Sequence, residues 1–420
     1  MTNKILFVFK NKVLVNGVWL YSLQIFNTVV PLLTLPYITR ILGVSQYGVF
    51  SISLNLVSYF QVIVEYGFNL SGARKIALTN NRDEQSRIYS RITASKLLLC
   101  LISFIFMVII CVITKIEKTQ IICMFILFTT VIGTAIQQTW LFQGLEEMQY
   151  ITIINVISRT ISVLLIFSIV KRSNQLYLYC TLYSVTSLLI GIISIFLVNI
   201  KLGIKFIKIK FQNIIEELKD GWYTFTTSAI SKVFTGIGIT VLGFSNDKSI
   251  VGAYSAIQKI PLVMTMMYSP VGQAIFPYMS RKYSVSFENG ITILKKIARL
   301  LISFVLFFSF CIILFTKKLV TILYGNEYTS YYLLLVPLVC WLLLSITNNL
   351  LGIQVLVASG HLKEYSIAFE ISAVSIVLSN IILGILWGAY GVAVATMISE
   401  FIMTITCILQ IKRIRNKLVN

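Results

Sequence analysis

Charge is scarce in this 420-residue chain: Asp, Glu, Lys and Arg make up 12% of it, about half the share of an ordinary soluble domain. Aspartate is scarcer still. Asp83, Asp220 and Asp247 stand far apart, so no paired-aspartate motif exists. A single histidine, His361, sits beside Gly360 in a loop and cannot build a His-rich metal site. The seven cysteines (Cys100, Cys111, Cys123, Cys180, Cys311, Cys340 and Cys407) form no Cys-x-x-Cys pair and read as small hydrophobes in apolar runs. The chain also lacks a Gly-x-x-x-x-Gly-Lys-Ser/Thr loop and a His-Glu-x-x-His pair. ATP is therefore excluded as a direct energy source within this chain, and neither metal nor cofactor is expected.

What is abundant is apolar sequence, 57% of all residues. Its runs are long and continuous, unlike the alternating strands of a membrane barrel, and indicate an all-α polytopic membrane protein. A window of about 20 residues gives approximate spans at 14–37, 47–68, 94–114, 119–141, 150–170, 176–198, 222–243, 250–278, 298–316, 331–357, 365–387 and 391–411. The first run is too long for the core of a signal peptide and is read as a membrane helix.

Twelve spans put both termini on one side. Lys and Arg crowd the termini and even-numbered loops, as in Arg74, Lys75, Arg82, Arg87, Arg91 and Lys96, then Lys201, Lys205, Lys208, Lys210 and Lys219, then Lys412, Arg413, Arg415 and Lys417. The opposite loops carry far fewer, so both termini are expected in the cytoplasm. This distribution also accounts for the net charge of +20. It calls for contact with anionic membrane lipids and not for a nucleic-acid partner. The outward loops are too short to hold a catalytic domain, which argues against an enzyme.

Part of the sequence is repeated. "TRILGVSQYGVFSI" (39–52) joins spans 1 and 2, and "TVLGFSNDKSIVGAYSAI" (240–257) joins spans 7 and 8. Ala73-Arg74-Lys75 follows span 2, as Ser280-Arg281-Lys282 follows span 8. The stretches 142–165 and 358–380 form a third matched pair. Either loop chemistry has converged, or the chain is two six-helix lobes, 1–210 and 211–420, entering the membrane from the same side. Parallel repeats of that kind are typical of alternating-access transporters.

The entry segment "NGVWLYSLQIFNTVVPLLTLPYITRILGVSQYGVFSI", the Arg-Lys loop after span 2, the Gly-Leu-Glu-Glu loop after span 4 and "WGAYGVAVATMISEF" (387–401) resemble the Wzx-type polysaccharide repeat-unit flippases. Those belong to a superfamily shared with multidrug (MATE) exporters and lipid II flippases. The resemblance covers essentially the whole chain and rests on diffuse patterns of Gly, Pro, aromatic and basic residues. It implies a V-shaped pair of six-helix lobes that carries undecaprenyl-pyrophosphate-linked oligosaccharide across the bacterial inner membrane. It also implies partnership with a polysaccharide polymerase and a chain-length regulator. Two alternatives stay open: a multidrug cation/proton antiporter of the same fold, and a non-transport membrane component of polysaccharide assembly.

Ionisable residues inside spans are the candidates for substrate contact, because a charge at the bilayer centre costs about 2.5–3.5 kcal/mol and normally faces a wet cavity or a partner. Lys232 continues a polar stripe of Thr224, Ser228 and Thr235 on span 7. Lys259 lies four residues from Ser255 on span 8, beside Tyr254, Gln258, Pro261, Thr265 and Tyr268. A pyrophosphate between the two lysines would relieve their repulsion. Arg159 on span 5, Gln24 and Asn27 on span 1, and Arg40 at its outer end complete the substrate set. Pro31 and Pro36 permit span 1 to bend. Glu65, Glu370 and Glu400 are candidates for proton or sodium coupling, or for neutralising a buried cation.

Overall fold

The computed structural model describes residues 12–114, 116–244 and 247–419. The order is α1 (Lys12–Glu65), α2 (Phe68–Ala77), α3 (Arg82–Ile113), α4 (Lys118–Ile136), α5 (Thr139–Gly144), α6 (Met148–Ile169) and α7 (Leu176–Leu197). After a π-helical turn come α8 (Phe211–Gly243), α9 (Lys248–Ile257), α10 (Lys259–Tyr283), α11 (Phe287–Leu314), α12 (Thr316–Tyr324) and α13 (Asn326–Thr329). A 3₁₀ turn leads into α14 (Leu335–Asn348), which runs on as a π-helix (Asn349–Val357), and α15 (Leu362–Val419) ends the chain. The described residues hold no strand. Helices are the natural answer to this composition, because each satisfies its own backbone where no water is present.

Among the described residues, ten helical segments are long and apolar enough to cross a membrane, and the protein is a multi-pass membrane protein. Helix α1 has 54 residues and α15 has 58, nearly three times the roughly 20 that a hydrocarbon core of about 30 Å requires at 1.5 Å per residue. Each is interrupted by a glycine with non-helical backbone, Gly43 (φ 74°, ψ 171°) and Gly388 (φ 56°, ψ −133°). Only glycine takes such angles without steric cost. Gly43 lies between the spans read as 14–37 and 47–68, and Gly388 between those read as 365–387 and 391–411. Helical backbone continues through Pro31 and Pro36, and the break comes at Gly43.

The residues fall into two compact units, one comprising those up to Leu42 and Val49–Thr235, the other Gly43–Gly48 and Gly236 onward. In the first unit, α4 and α7 pack at the distance that small residues allow. A Cβ on Gly133 would come within 2.5 Å of the Ser187 backbone. Close backbone approach of this kind holds membrane helices together where burial from water supplies no force. The first part of α1 runs parallel to α6 in fixed register: Thr152 donates to the Trp19 carbonyl (2.9 Å), and the Tyr37 hydroxyl to the Val170 carbonyl (2.8 Å). After the π turn the chain straps along α3, with Ile207 N–H on Ser90 Oγ (2.8 Å) and Arg82 Nη1 on the Leu202 carbonyl (2.8 Å). Lys75 then ties α2 to the start of α8 through Glu217 (2.7 Å) and Asp220 (2.9 Å).

The second unit explains the repeated motif. A Cβ on Gly48 would run into the Lys248 carbonyl oxygen, and one on Gly252 into the Val44 carbonyl oxygen. The two copies are packed on each other reciprocally, each glycine against the residue that opens the other copy's four-residue step. Glu327 caps the arrangement by accepting from Val44 N–H (2.9 Å) just past the break at Gly43, where a helix start favours negative charge. Gly252→Ala is expected to lower the melting temperature of the purified protein by several degrees. Gly17→Ala, whose Cβ meets nothing within 4 Å, is expected to leave it unchanged. Equal melting curves for the two variants would refute the contact. The two parts of α15 pack through buried Ser372 and Ser399, whose side chains bond each other's carbonyls (3.1 and 2.9 Å).

Candidate functional site

In the first unit the α1/α6 register fixes one polar level. Arg159 lies seven residues from Thr152 and eleven from Val170, on the α6 face turned to α1, and the constant offset sets it opposite Phe26 and Asn27. The Arg159 Nε and the Asn27 Oδ1 are both buried without a hydrogen-bond partner. Pro31 adds to this polarity, since it lacks the N–H that would bond the Asn27 carbonyl. Tyr183, on α7, lies close enough to interact electrostatically with Arg159. Gln24 is exposed one turn earlier, and Arg40 is exposed three residues before the Gly43 break.

Lys232 also belongs to this unit. It is half-buried on α8, with its ammonium 5.9 Å from the centre of the Tyr59 ring, a cation–π contact worth about 0.5–1 kcal/mol where exposed. The hydroxyls of the expected stripe turn back onto their own helix: Ser228 bonds the Thr224 carbonyl (2.9 Å) and Thr235 the Lys232 carbonyl (3.2 Å).

Glu65 meets a cation that the sequence reading placed in a cytoplasmic loop. Lys96 is 3% exposed, lies inside α3 and donates to the Gln137 carbonyl (2.9 Å), within electrostatic reach of Glu65. The span read as one helix over 119–141 is broken there. Gln137 and Gln138 separate α4 from α5, and Gln138 is fully buried, bonded to Thr93 (3.4 Å) and, through its N–H, to Ser194 (3.2 Å). Lys96 thus neutralises the negative end of α4. The visible signal was the amide pair inside an apolar run.

In the second unit, Gln258 and Lys259 mark the junction between α9 and α10. Pro261 forbids the backbone bond to Ile257, and Lys259 is exposed while Ser255, one turn before, is buried. Glu400 is 9% exposed. Asn348 donates to its Oε2 (2.5 Å), Trp341 donates to it as well, and Thr404 orders the amide by bonding Asn348 Oδ1 (2.7 Å). This carboxylate is held by neutral donors. Glu370 differs, being exposed on the same face as exposed Ile367, Ile371 and Val374.

The structure therefore brings Arg159 level with Asn27, and Glu65 to Lys96. It places Lys232 in the first unit and Lys259 with Gln258 and Glu400 in the second. The amides of "ITNNLLGIQ" (346–354) were legible as polar residues in a span, but nothing in their spacing told that Asn348 serves Glu400.

The family model described as "Polysaccharide biosynthesis protein" matches residues 13–282. A protein of Escherichia coli (strain K12) named "Putative O-antigen transporter" is 28% identical over 391 residues, covering 93% of this chain and 94% of that one. Its namesake from Shigella dysenteriae is 29% identical over 393 residues, with coverage of 92% and 96%. Among solved structures, the lipid II flippase MurJ in an inward closed conformation superposes with a TM-score of 0.75 at 16% identity, covering 95% of this chain and 87% of that one. An inward-facing multidrug MATE transporter gives a TM-score of 0.67 at 13% identity, with coverage of 92% and 96%. At these identities the structural likeness is one of fold. The family match spans well over half of the sequence, and the chain belongs to the polysaccharide biosynthesis protein family.

Proposed function

We propose that the protein is a flippase that moves undecaprenyl-pyrophosphate-linked oligosaccharide repeat units, of O-antigen or a similar surface polysaccharide, from the cytoplasmic to the outer leaflet of the bacterial inner membrane. Family membership and the names of the two relatives support the reading. The observation that carries it is the sign of the in-span charge: Lys232, Lys259 and Arg159 are cations, whereas the inner carboxylate Glu400 is already held by Asn348 and Trp341. An anionic headgroup suits that arrangement, and an organic cation does not.

The polyprenyl tail gains about 0.8 kcal/mol per buried CH₂ by staying in lipid, so only the sugar-pyrophosphate head needs a polar route through the protein. No bond is made or broken, and no catalytic group is needed. A potential negative inside favours outward movement of the head by about 2.3 kcal/mol per charge per 100 mV. A polymerase and a chain-length regulator would take up the product.

Liposomes holding the purified protein and a fluorescent lipid-linked oligosaccharide are expected to show headgroup translocation without chemical change. Efflux of organic cations driven by protons, with no movement of matched glycolipids, would replace this reading with the antiporter. Coupling is assigned to Glu400: an imposed proton gradient is expected to change the translocation rate of wild type but not of Glu400→Gln. An unchanged gradient response in that variant would remove Glu400 from coupling.

A further inference from the structure

The second unit contains a groove that none of the candidate residues explains. It has a volume of about 590 Å³ and lies between α10 and the α14/π-helix segment. Thr265, Tyr268, Ser269, Gln273, Ser345 and Asn349 line it, and no charged residue does. A groove without charge is built neither for a phosphate nor for an organic cation.

Its polar groups are arranged from behind. Gln354 is 0% exposed and its Nε2 bonds the Gly272 carbonyl (2.9 Å) and Asn349 Oδ1 (3.4 Å). The Tyr268 hydroxyl donates to the same Asn349 oxygen (3.1 Å). With Oδ1 engaged twice, the Nδ2 group is the part of Asn349 left to a ligand. Gln354 itself does not line the groove; it acts from behind, by fixing the Gly272 carbonyl and the Asn349 amide that do. Gly272 eases this closeness, since a Cβ there would stand 3.2 Å from Asn349 Oδ1. The wide turns over Asn349–Val357 are π-helical, an irregularity often found at functional sites.

A sodium ion is a poor fit, because Asn349 Oδ1 and the Gly272 carbonyl are already taken by donors and no carboxylate lines the groove. Donors and acceptors without charge, together with the aromatic surfaces of Tyr268 and Phe276, match the face of a neutral pyranose. We propose that this groove is a subsite for an uncharged sugar of the carried glycan, separate from the cations that would meet its phosphates. The assignment rests on the flippase reading and adds the residues that hold the sugar.

The test separates sugar binding from transport. The oligosaccharide released by mild acid from the polyprenyl lipids of the source organism, labelled at its reducing end, is titrated against detergent-purified protein by equilibrium dialysis. Saturable binding by wild type is expected, with affinity reduced at least tenfold in Gln354→Leu and at least fivefold in the rim variants Gln273→Ala and Ser269→Ala. The rim positions are exposed, so those variants fold even if Gln354→Leu does not. Binding unchanged in both rim variants, or no binding by wild type, overturns the subsite. If lipid-linked glycan is still translocated in either case, the flippase reading survives. If wild type moves no lipid-linked glycan at all, it is that reading that fails, whatever the dialysis shows.

Discussion

Replacing Lys232 and Lys259 together by alanine is expected to reduce translocation of the lipid-linked glycan by at least a hundredfold while the protein still inserts and purifies as a monodisperse species. A charge-assisted hydrogen bond contributes about 1.5–3 kcal/mol, which is roughly 10- to 150-fold for each lysine. Two such losses multiply. Folding should survive because Lys259 is exposed and Lys232 is half-buried with its ammonium over the Tyr59 ring, so alanine opens no cavity in a packed core. Lys232→Arg is expected to keep most of the activity, since the guanidinium retains charge and can still stack on Tyr59. Headgroup translocation in liposomes reads both variants. Undiminished transport in the double variant would preserve the function and remove both lysines from the substrate path.

The sequence told the class of fold well because membrane helices are announced by length and apolarity alone, and those are properties of composition. It told much less about where single polar residues point. Lys96 reads as a loop cation since it stands at the edge of an apolar run, yet α3 begins at Arg82 and carries it into the interior. Asn81 caps that helix by accepting from Asp83 N–H (2.9 Å), so it starts well outside the apolar stretch. The repeat shows the reverse. Its Gly and Ser residues were weak signals singly, and their meaning lay in a tertiary contact, Gly48 on Gly252, that no local pattern encodes. Lys259 illustrates a third limit: helical spacing put it in line with Ser255, but Pro261 disturbs the helix between them and one is exposed while the other is buried.

The largest effect on folding is expected from Lys96→Met. The ammonium is almost wholly enclosed, bonded to the Gln137 carbonyl at the end of α4 and facing Glu65. Methionine fills a similar volume, so the loss is electrostatic and not one of packing. It strands a carbonyl at a helix terminus, which costs about 1–3 kcal/mol, and leaves the half-buried Glu65 without the cation within its electrostatic reach. Against a total stability of about 5–15 kcal/mol, that is enough to cut the folded yield sharply. Fluorescence-detected size exclusion and a melting curve measure it. A second substitution, Glu65→Gln, removes the stranded charge and is expected to restore part of the stability, although the same change in the wild-type background costs stability by leaving Lys96 unpaired. That opposite sign is the signature of a coupled pair. Additive losses in the double variant would instead assign Lys96 to the α4 terminus alone, and Glu65 would then be the carboxylate of the first unit to examine for ion coupling.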